Sequence, residues 1–188
     1  MYLNNYQQLK NKKVFLIILL ISISIVVRIP IIFIFGDIQL DNEWKILVDN
    51  LIIHGTLSFR NFDGILIPNL YMPPLYSFYL YLFSIITSEQ QYFINLVLFS
   101  QALLASLSVV LFYKINKFFF SEKISFYSSL LFSLFPLHVY ACSQISSITL
   151  QIFLILFFFY LFFKIENKKK IITLFVFSIV SGFSMLLR

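Results

Sequence analysis

The chain has 188 residues, of which 60% are hydrophobic and 12% are charged, and its mean hydropathy of +0.91 is typical of an integral membrane protein. This composition excludes a soluble domain of any size. The net charge of +6 does not indicate nucleic-acid binding, because the basic residues stand in short clusters between apolar runs, as topology signals do. The single cysteine, Cys142, excludes a disulfide framework and a cysteine metal site.

The first apolar run covers residues 14–35 and is long enough to cross a bilayer core of ~30 Å. Lys10, Lys12 and Lys13 precede it, which favours a cytoplasmic N-terminus. Arg28 stands toward the outer end of this run. We expect its side chain to reach the interface or to pair with an acid of the following loop.

Residues 36–90 are interpreted as the first extracytoplasmic loop, and five of the chain's eight acids fall in its first half. The apolar side chains at positions 44, 47, 48, 51 and 52 recur at the spacing of one helix face. With Asp41 as N-cap and Gly55 as C′ residue, this pattern predicts a short amphipathic helix at the membrane surface. The five acids are Asp37, Asp41, Glu43, Asp49 and Asp63.

The later apolar runs cover residues 73–87, 92–113, 124–142, 147–165 and 171–187. The first has only 15 residues, which is marginal for a span. If it crossed, three basic residues would lie inside and nine outside; if it does not, ten lie inside and two outside, as the positive-inside rule requires. The sequence therefore predicts an all-α polytopic membrane protein with about five transmembrane helices, residues 73–87 forming a juxtamembrane helix.

No repeat or low-complexity segment divides the chain, so we treat residues 1–188 as one transmembrane domain. The predicted topology brings Asp41, Glu43, Pro73-Pro74 and the loop at 143–147 to the same, extracytoplasmic side. The chain stops as the fifth span finishes. We therefore expect a domain that is incomplete at its C-terminus, the N-terminal part of a longer protein, and inactive alone.

These features stand in an order that resembles the N-terminal part of the GT-C superfamily of polytopic glycosyltransferases, of the protein O-mannosyltransferase and aminoarabinose-transferase type. The similarity covers most of residues 14–188. It comprises an Arg near the outer end of the first span, an acid before an aromatic residue, an Asn-Leu-Ile segment followed by Gly, and a Pro-Pro-Leu-Tyr segment. In this sequence these are Arg28, Asp41, Trp44, Asp49-Asn50-Leu51-Ile52, Gly55 and Pro73-Pro74-Leu75-Tyr76, followed by SLFPLHVYACSQISSITL and SGFSMLLR.

The resemblance implies a hexosyl- or pentosyltransferase at the extracytoplasmic face of a bacterial inner membrane. Its donor would be a polyprenyl-phosphate sugar, and its acceptor a hydroxyl or amine of a lipid, glycan or protein. It also implies that Asp41 is the catalytic base, with Glu43 as the second choice. Trp44, Tyr76 and Arg188 would bind substrate, Arg188 through the carrier phosphate.

Each assignment has a structural alternative. Asp41 could serve only as an N-cap, Trp44 as an interfacial anchor, and Arg188 as a cation that reaches the interface from the end of a span. Residues 143–149 contain no acid, whereas relatives commonly place a carboxylate there, so a divalent metal stays possible but is not supported by a second carboxylate. The alternative functions are a polytopic transporter or flippase of lipid-linked polymers, and a catalytically silent relative.

Overall fold

The computed structural model describes residues 2–41, 43–59, 61–62, 65–68, 72–87, 89–167 and 171–187, and confirms an all-α polytopic membrane fold. A two-residue strand pair, with Asn61 opposite Leu66 and Phe62 opposite Ile65, was not predicted. In chain order the elements are α1 (Tyr2–Phe35), α2 (Glu43–His54), β1 (Asn61–Phe62), β2 (Ile65–Leu66), α3 (Pro74–Ile86), α4 (Gln90–Asn116), α5 (Glu122–Ser133), α6 (Pro136–Ala141), α7 (Ile148–Asn167) and α8 (Ile171–Met185).

Three helices in the described part of the chain are long and apolar enough to cross a membrane. They are Asn11–Phe35, Gln90–Asn116 and Ile148–Ile165, and they coincide with three of the predicted spans. The fifth predicted span forms α8, whose 15 residues rise only ~22 Å. The remaining one is divided between α5 and α6. The chain is thus an integral membrane protein, and the count of five spans stays a prediction.

The bundle has two ends that differ in their polar contacts. At one of them, termed the Lys12 end, the Nζ atoms of Lys12 and Lys117 lie 3.7 Å and 3.3 Å from the carboxylate of Glu122. At the other, termed the Asp37 end, the N–H of Asp37 donates to the carbonyl of Ser143 at 3.1 Å. The α4–α5 connection therefore shares an end with the first turns of the α1 span. The α6–α7 connection lies at the opposite end, as the predicted alternation of spans requires.

Helix α4 is central and packs against α1, α3, α5 and α7. Small buried side chains such as Ala102 and Ala105 let the neighbouring backbones approach closely. Helix α5 contributes a row of buried serines at every fourth position, whose hydroxyls donate to carbonyls of their own chain three or four residues earlier. This row brings small side chains into the apolar bundle without leaving their hydroxyls unpaired. It consists of Ser125, Ser129 and Ser133.

Helix α3 forms a hairpin with the first turns of α4, in which the hydroxyls of Tyr79 and Ser100 are hydrogen-bonded. The end of α1 meets α4 near Phe99, whose ring centre lies 6.2 Å from that of Phe33. The first eight residues of α4, before Leu98, therefore extend ~12 Å beyond α1. Helix α3 packs beside this half of α4, and its juxtamembrane position stays a prediction.

Arg28 lies inside the bundle, so the expectation that it reaches the interface or pairs with a loop acid is wrong. It is 0% exposed, and no acid of the described residues contacts it. Its position is explained by the break between α5 and α6, because the last carbonyls of a helix have no intrahelical donor. The carbonyl of Ser133, at the end of α5, accepts a hydrogen bond from Arg28 Nη1 at 3.2 Å. A cation is favoured at this negative end of a helix dipole.

Candidate active site

The segment that joins α1 to α2 begins at Gly36. The N–H of Gly36 still donates to the carbonyl of Ile32 at 2.9 Å, which completes the last turn of α1. A Cβ at this position would lie 2.2 Å from that same oxygen, closer than any real contact. Only glycine lets the chain leave α1 here without a backbone shift, and this exit brings Asp37 beside residues 143–145.

Asp37 is fixed by the connection between α6 and α7. Its Oδ2 accepts a hydrogen bond from the N–H of Ile145 at 2.6 Å, and its own N–H donates to the carbonyl of Ser143. Gln144 Nε2 adds a third link, at 2.8 Å, to the carbonyl of Phe35. The sequence predicts no role for Asp37, because an acid that follows a span gives no indication of partners more than a hundred residues away.

Asp41 is an exposed carboxylate held between two buried apolar side chains. Leu40 is 6% exposed and Trp44 is 5% exposed, and both belong to the main hydrophobic core. Asp41 lines an open groove of about 440 Å³ together with residues 36–39, Asp37 among them. The structure shows no hydrogen bond or ion pair from Asp41 to another described residue. Its carboxylate is therefore positioned by its neighbours and available to a ligand in the groove.

Helix α2 begins at Glu43, two residues after Asp41. Residue 42 lies outside the described residues, so the predicted role of Asp41 as the N-cap stays a prediction. The predicted C-terminus is confirmed, because Gly55 has a φ of 67° and its N–H donates to the carbonyl of Leu51 at 3.1 Å. Glu43 is exposed in the first turn, where the helix dipole stabilises its negative charge by ~0.3–1 kcal/mol.

Trp44 and Tyr76, both predicted to bind substrate, contact each other. Their ring centres lie 4.7 Å apart at an angle of 72°, an edge-to-face arrangement that joins α2 to α3. Tyr76 also stacks on Tyr79 at 5.5 Å. Both predicted residues are buried, so in this structure their rings form the support beneath the start of α2.

A polar chain connects this aromatic support to the 143–147 segment through Gln101, a buried glutamine of α4. The hydroxyl of Tyr76 donates to Gln101 Oε1 at a long 3.5 Å, and Gln101 Nε2 donates to the carbonyl of Gln144 at 3.0 Å. Burial raises the pKa of Tyr76 well above its ordinary value and raises the pKa of Tyr79 to about 12. Both phenols therefore keep their protons at physiological pH and serve as hydrogen-bond donors.

The described residues contain no cluster of three or more His, Cys, Asp or Glu side chains that could hold a metal ion. In the groove the carboxylates are those of Asp37 and Asp41, and Asp37 Oδ2 is already hydrogen-bonded. Mg²⁺ is commonly bound by one or two carboxylates together with substrate phosphates, so this pair is the set that a metal would use here. Residues 143–145 contribute backbone groups to the site, in keeping with their lack of an acid.

Arg188 lies outside the described residues, so its predicted phosphate contact stays a prediction. The last described turn of α8 reaches the start of α3, where the carbonyl of Leu186 accepts a hydrogen bond from the N–H of Leu75 at 3.2 Å. Since Tyr76 follows Leu75 directly, this end of α8 lies beside the aromatic support.

Residues 71–188 match the sequence profile of a protein family described as dolichyl-phosphate-mannose-protein mannosyltransferase. The match covers more than half of the chain and begins after the acidic segment, so Asp37, Asp41 and Glu43 precede it. Neither a curated protein nor a solved structure matches the chain significantly. The match agrees with the resemblance found from the sequence. The family indicates sugar transfer from a lipid-linked donor in a membrane. The chain therefore belongs to the dolichyl-phosphate-mannose-protein mannosyltransferase family of membrane glycosyltransferases.

Proposed function

We propose that the protein moves a sugar from a polyprenyl-phosphate carrier to a hydroxyl or amine of a lipid, glycan or protein acceptor. Transfer would take place at the extracytoplasmic face of a bacterial inner membrane. The family supports sugar transfer and a lipid-linked donor. The observation that carries the site is the exposed carboxylate of Asp41, which lines the groove at the Asp37 end without a partner among the described residues.

The distribution of charge supports a cytoplasmic N-terminus. Lysines gather at the Lys12 end, where the Nζ atoms of Lys114 and Lys164 both lie 5.5 Å from the centre of the Tyr160 ring. Lys12 and Lys117 lie at the same end, around Glu122. By the positive-inside rule this end faces the cytoplasm, and the Asp37 end faces outward.

In the proposed mechanism Asp41 is the general base. As the acceptor oxygen attacks the anomeric carbon, its proton passes to the Asp41 carboxylate, and the bond from the anomeric carbon to the phosphate oxygen breaks, which releases polyprenyl phosphate. A positioned base contributes roughly 10²–10⁴-fold to such a step. Glu43, exposed two residues later, is proposed as a supporting acid. Asp37 is a weaker candidate for the base, because its Oδ2 is engaged by the N–H of Ile145.

The remaining predicted residues are proposed to form the wall of the substrate site and to bind the carrier phosphate. Trp44 and Tyr76 would form the aromatic wall beneath the groove and fix the start of α2, where Asp41 and Glu43 stand. Arg188 would bind the carrier phosphate through two parallel hydrogen bonds, as a guanidinium does with phosphate oxygens.

The test is sugar transfer from polyprenyl-phosphate-linked hexoses and pentoses in membranes that contain the protein expressed from its own gene. Asp41→Asn keeps the shape of the side chain and removes the base, so transfer should fall at least a hundredfold at an unchanged protein level. Asp49→Asn is the matched control, because Asp49 is also an exposed acid of this region but lines a different cavity.

An active parent whose Asp41→Asn variant transfers sugar at the same rate would exclude Asp41 as the base. A parent that transfers none of the offered sugars, although it is folded and present in the membrane, would favour a catalytically silent relative. Where Asp41→Asn loses activity, normal transfer by Asp49→Asn is required, because it shows that loss of one negative charge near α2 is not by itself harmful.

A further inference from the structure

A buried polar cluster around Arg28 lies one layer below the Asp37 end, and the proposed chemistry does not use it. Arg28 Nη1 donates to the carbonyl and the hydroxyl of Ser24 at 3.0 Å and 2.6 Å, and to the carbonyl of Ser133 at 3.2 Å. Arg28 Nη2 lies 2.8 Å from Nδ1 of His138. The planar fork of one guanidinium therefore joins α1 to the end of α5 and to α6.

The contact with His138 has a defined direction. A guanidinium carries donors only, so His138 Nδ1 must accept this hydrogen bond, and the imidazole proton resides on Nε2. The ring is also stacked on Phe132, with ring centres 4.5 Å apart and an angle of 20°. Because one edge and one face of the imidazole are engaged, α6 is held in a single orientation against α1 and α5.

Helix α6 leads directly into the residues that hold Asp37. It ends at Ala141, and the N–H of Ser143 donates to the carbonyl of Tyr140 at 2.9 Å, which continues the turn. The carbonyl of Ser143 and the N–H of Ile145 are then the two groups that bind Asp37. The orientation of α6 thus sets the position of both.

We propose that Arg28 is a positioning residue for the transferase. It keeps α6 oriented so that Ser143 and Ile145 bind Asp37, and the bound Asp37 keeps the groove segment and Asp41 in place. Lysine is a poor substitute, because one ammonium would have to replace the two guanidinium nitrogens that separately contact Ser133 and His138. The effect on transfer rests on the proposed function, whereas the docking of residues 143–145 on Asp37 is independent of it.

The docking is measured by the labelling rate of a cysteine at position 145 with a membrane-impermeant maleimide. Ile145 is 2% exposed and Ile38, the comparison site, is 75% exposed. Cys142 is replaced by Ala in every arm, so that the introduced thiol is the only one. With Arg28 intact, Ile145→Cys should react at least tenfold more slowly than Ile38→Cys. With Arg28→Lys, its rate should rise at least fivefold while Ile38→Cys is unaffected.

A pair of variants at His138 separates hydrogen bonding from packing. His138→Gln supplies an amide oxygen that accepts from Arg28, so position 145 should stay protected. His138→Leu fills the apolar space without an acceptor, and position 145 should become reactive. This pair also keeps the inference testable if Arg28 variants fail to accumulate.

Continued protection of position 145 in folded Arg28→Lys and His138→Leu proteins would overturn the inference. The transfer assay gives the second readout, in which Arg28→Lys should lower kcat at least tenfold with little change in KM for the donor, and His138→Gln should restore most of the rate lost in His138→Leu. If labelling responds as expected but the parent transfers no sugar, the docking role of Arg28 stands and the proposed function fails.

Discussion

The carboxylate of Asp37 accepts a hydrogen bond from the backbone N–H of Ile145, across 108 positions of the chain and at 2.6 Å. The same two segments are linked again by the N–H of Asp37 and by the side chain of Gln144. The short connection between α1 and α2 is therefore bound at its second residue, Asp37, to the α6–α7 connection. Asp41, four residues later in the same segment, therefore follows a residue whose position is fixed.

The first prediction concerns the charge of Asp37. Asp37→Asn keeps an oxygen that can accept from Ile145 and loses only the charge assistance, which is worth ~1 kcal/mol. Transfer should therefore fall by less than about tenfold, whereas Asp37→Ala, which removes the acceptor, should lower it further. The measurement is kcat and KM for sugar transfer, together with the protein level in the membrane.

This comparison also distinguishes a positioning acid from a catalytic one. If Asp37→Asn abolished transfer as completely as Asp41→Asn is expected to, Asp37 would be the base and the assignment of Asp41 would fail. Asp49→Asn again serves as the control for a lost negative charge, since Asp49 does not line this groove.

Much of the fold could be predicted from the sequence because the bilayer imposes length and hydropathy on each span. The three long helices, the helical face of α2 and its Gly55 terminus all follow from local patterns. The division of the third predicted span, residues 124–142, did not follow from them. Arg28, which contacts Ser133 and His138 at this division, is distant in sequence and looked like a cation that should reach the interface.

The site was predictable only in part, for the same reason. The role of Asp41 follows from the resemblance to the glycosyltransferase superfamily and stays a prediction, with which the exposure of Asp41 in a groove agrees. Asp37 was missed because its partners are backbone groups, which no side-chain pattern can reveal. Trp44 and Tyr76 were singled out as aromatic residues of the resembling segments. Their contact with each other could not be predicted, because it depends on how α2 packs on α3.

A second prediction concerns the exit from α1. Gly36→Ala places a Cβ 2.2 Å from the Ile32 carbonyl oxygen, so the backbone must shift and Asp37 must move with it. We expect a loss of stability of ~1–3 kcal/mol, measured as a lower Tm in detergent, and at least a tenfold loss of transfer. Gly182→Ala is the matched control, because a Cβ there meets nothing within 4 Å and alanine favours the helix. A normal Tm and normal transfer for Gly36→Ala would show that this exit is not constrained.

A third prediction uses the fact that Trp44 is the chain's single tryptophan. Its fluorescence therefore reports the contact between α2 and α3 alone. In the purified protein, iodide should quench Trp44 weakly, because the side chain is buried. Tyr76→Ala should remove the edge-to-face contact, increase quenching and lower stability by ~3 kcal/mol.

The control for this contact is Tyr76→Phe, which keeps the ring and removes only the long hydrogen bond to Gln101. It should lower stability by less than about 1 kcal/mol and leave quenching unchanged. Equal quenching in the Tyr76→Ala and Tyr76→Phe proteins would mean that Tyr76 does not shield Trp44.

The last prediction tests the orientation on which an extracytoplasmic reaction depends. Ile38 at the Asp37 end is 75% exposed, and Phe119 near the Lys12 end is 59% exposed. In a Cys142→Ala background, an impermeant maleimide added to intact cells should label Ile38→Cys directly and label Phe119→Cys only after permeabilisation. The physical reason is that the lysines at the Lys12 end favour the cytoplasmic side. The reverse pattern would put the Asp41 carboxylate in the cytoplasm, and the proposed site of transfer would then have to be abandoned even if the activity itself were found.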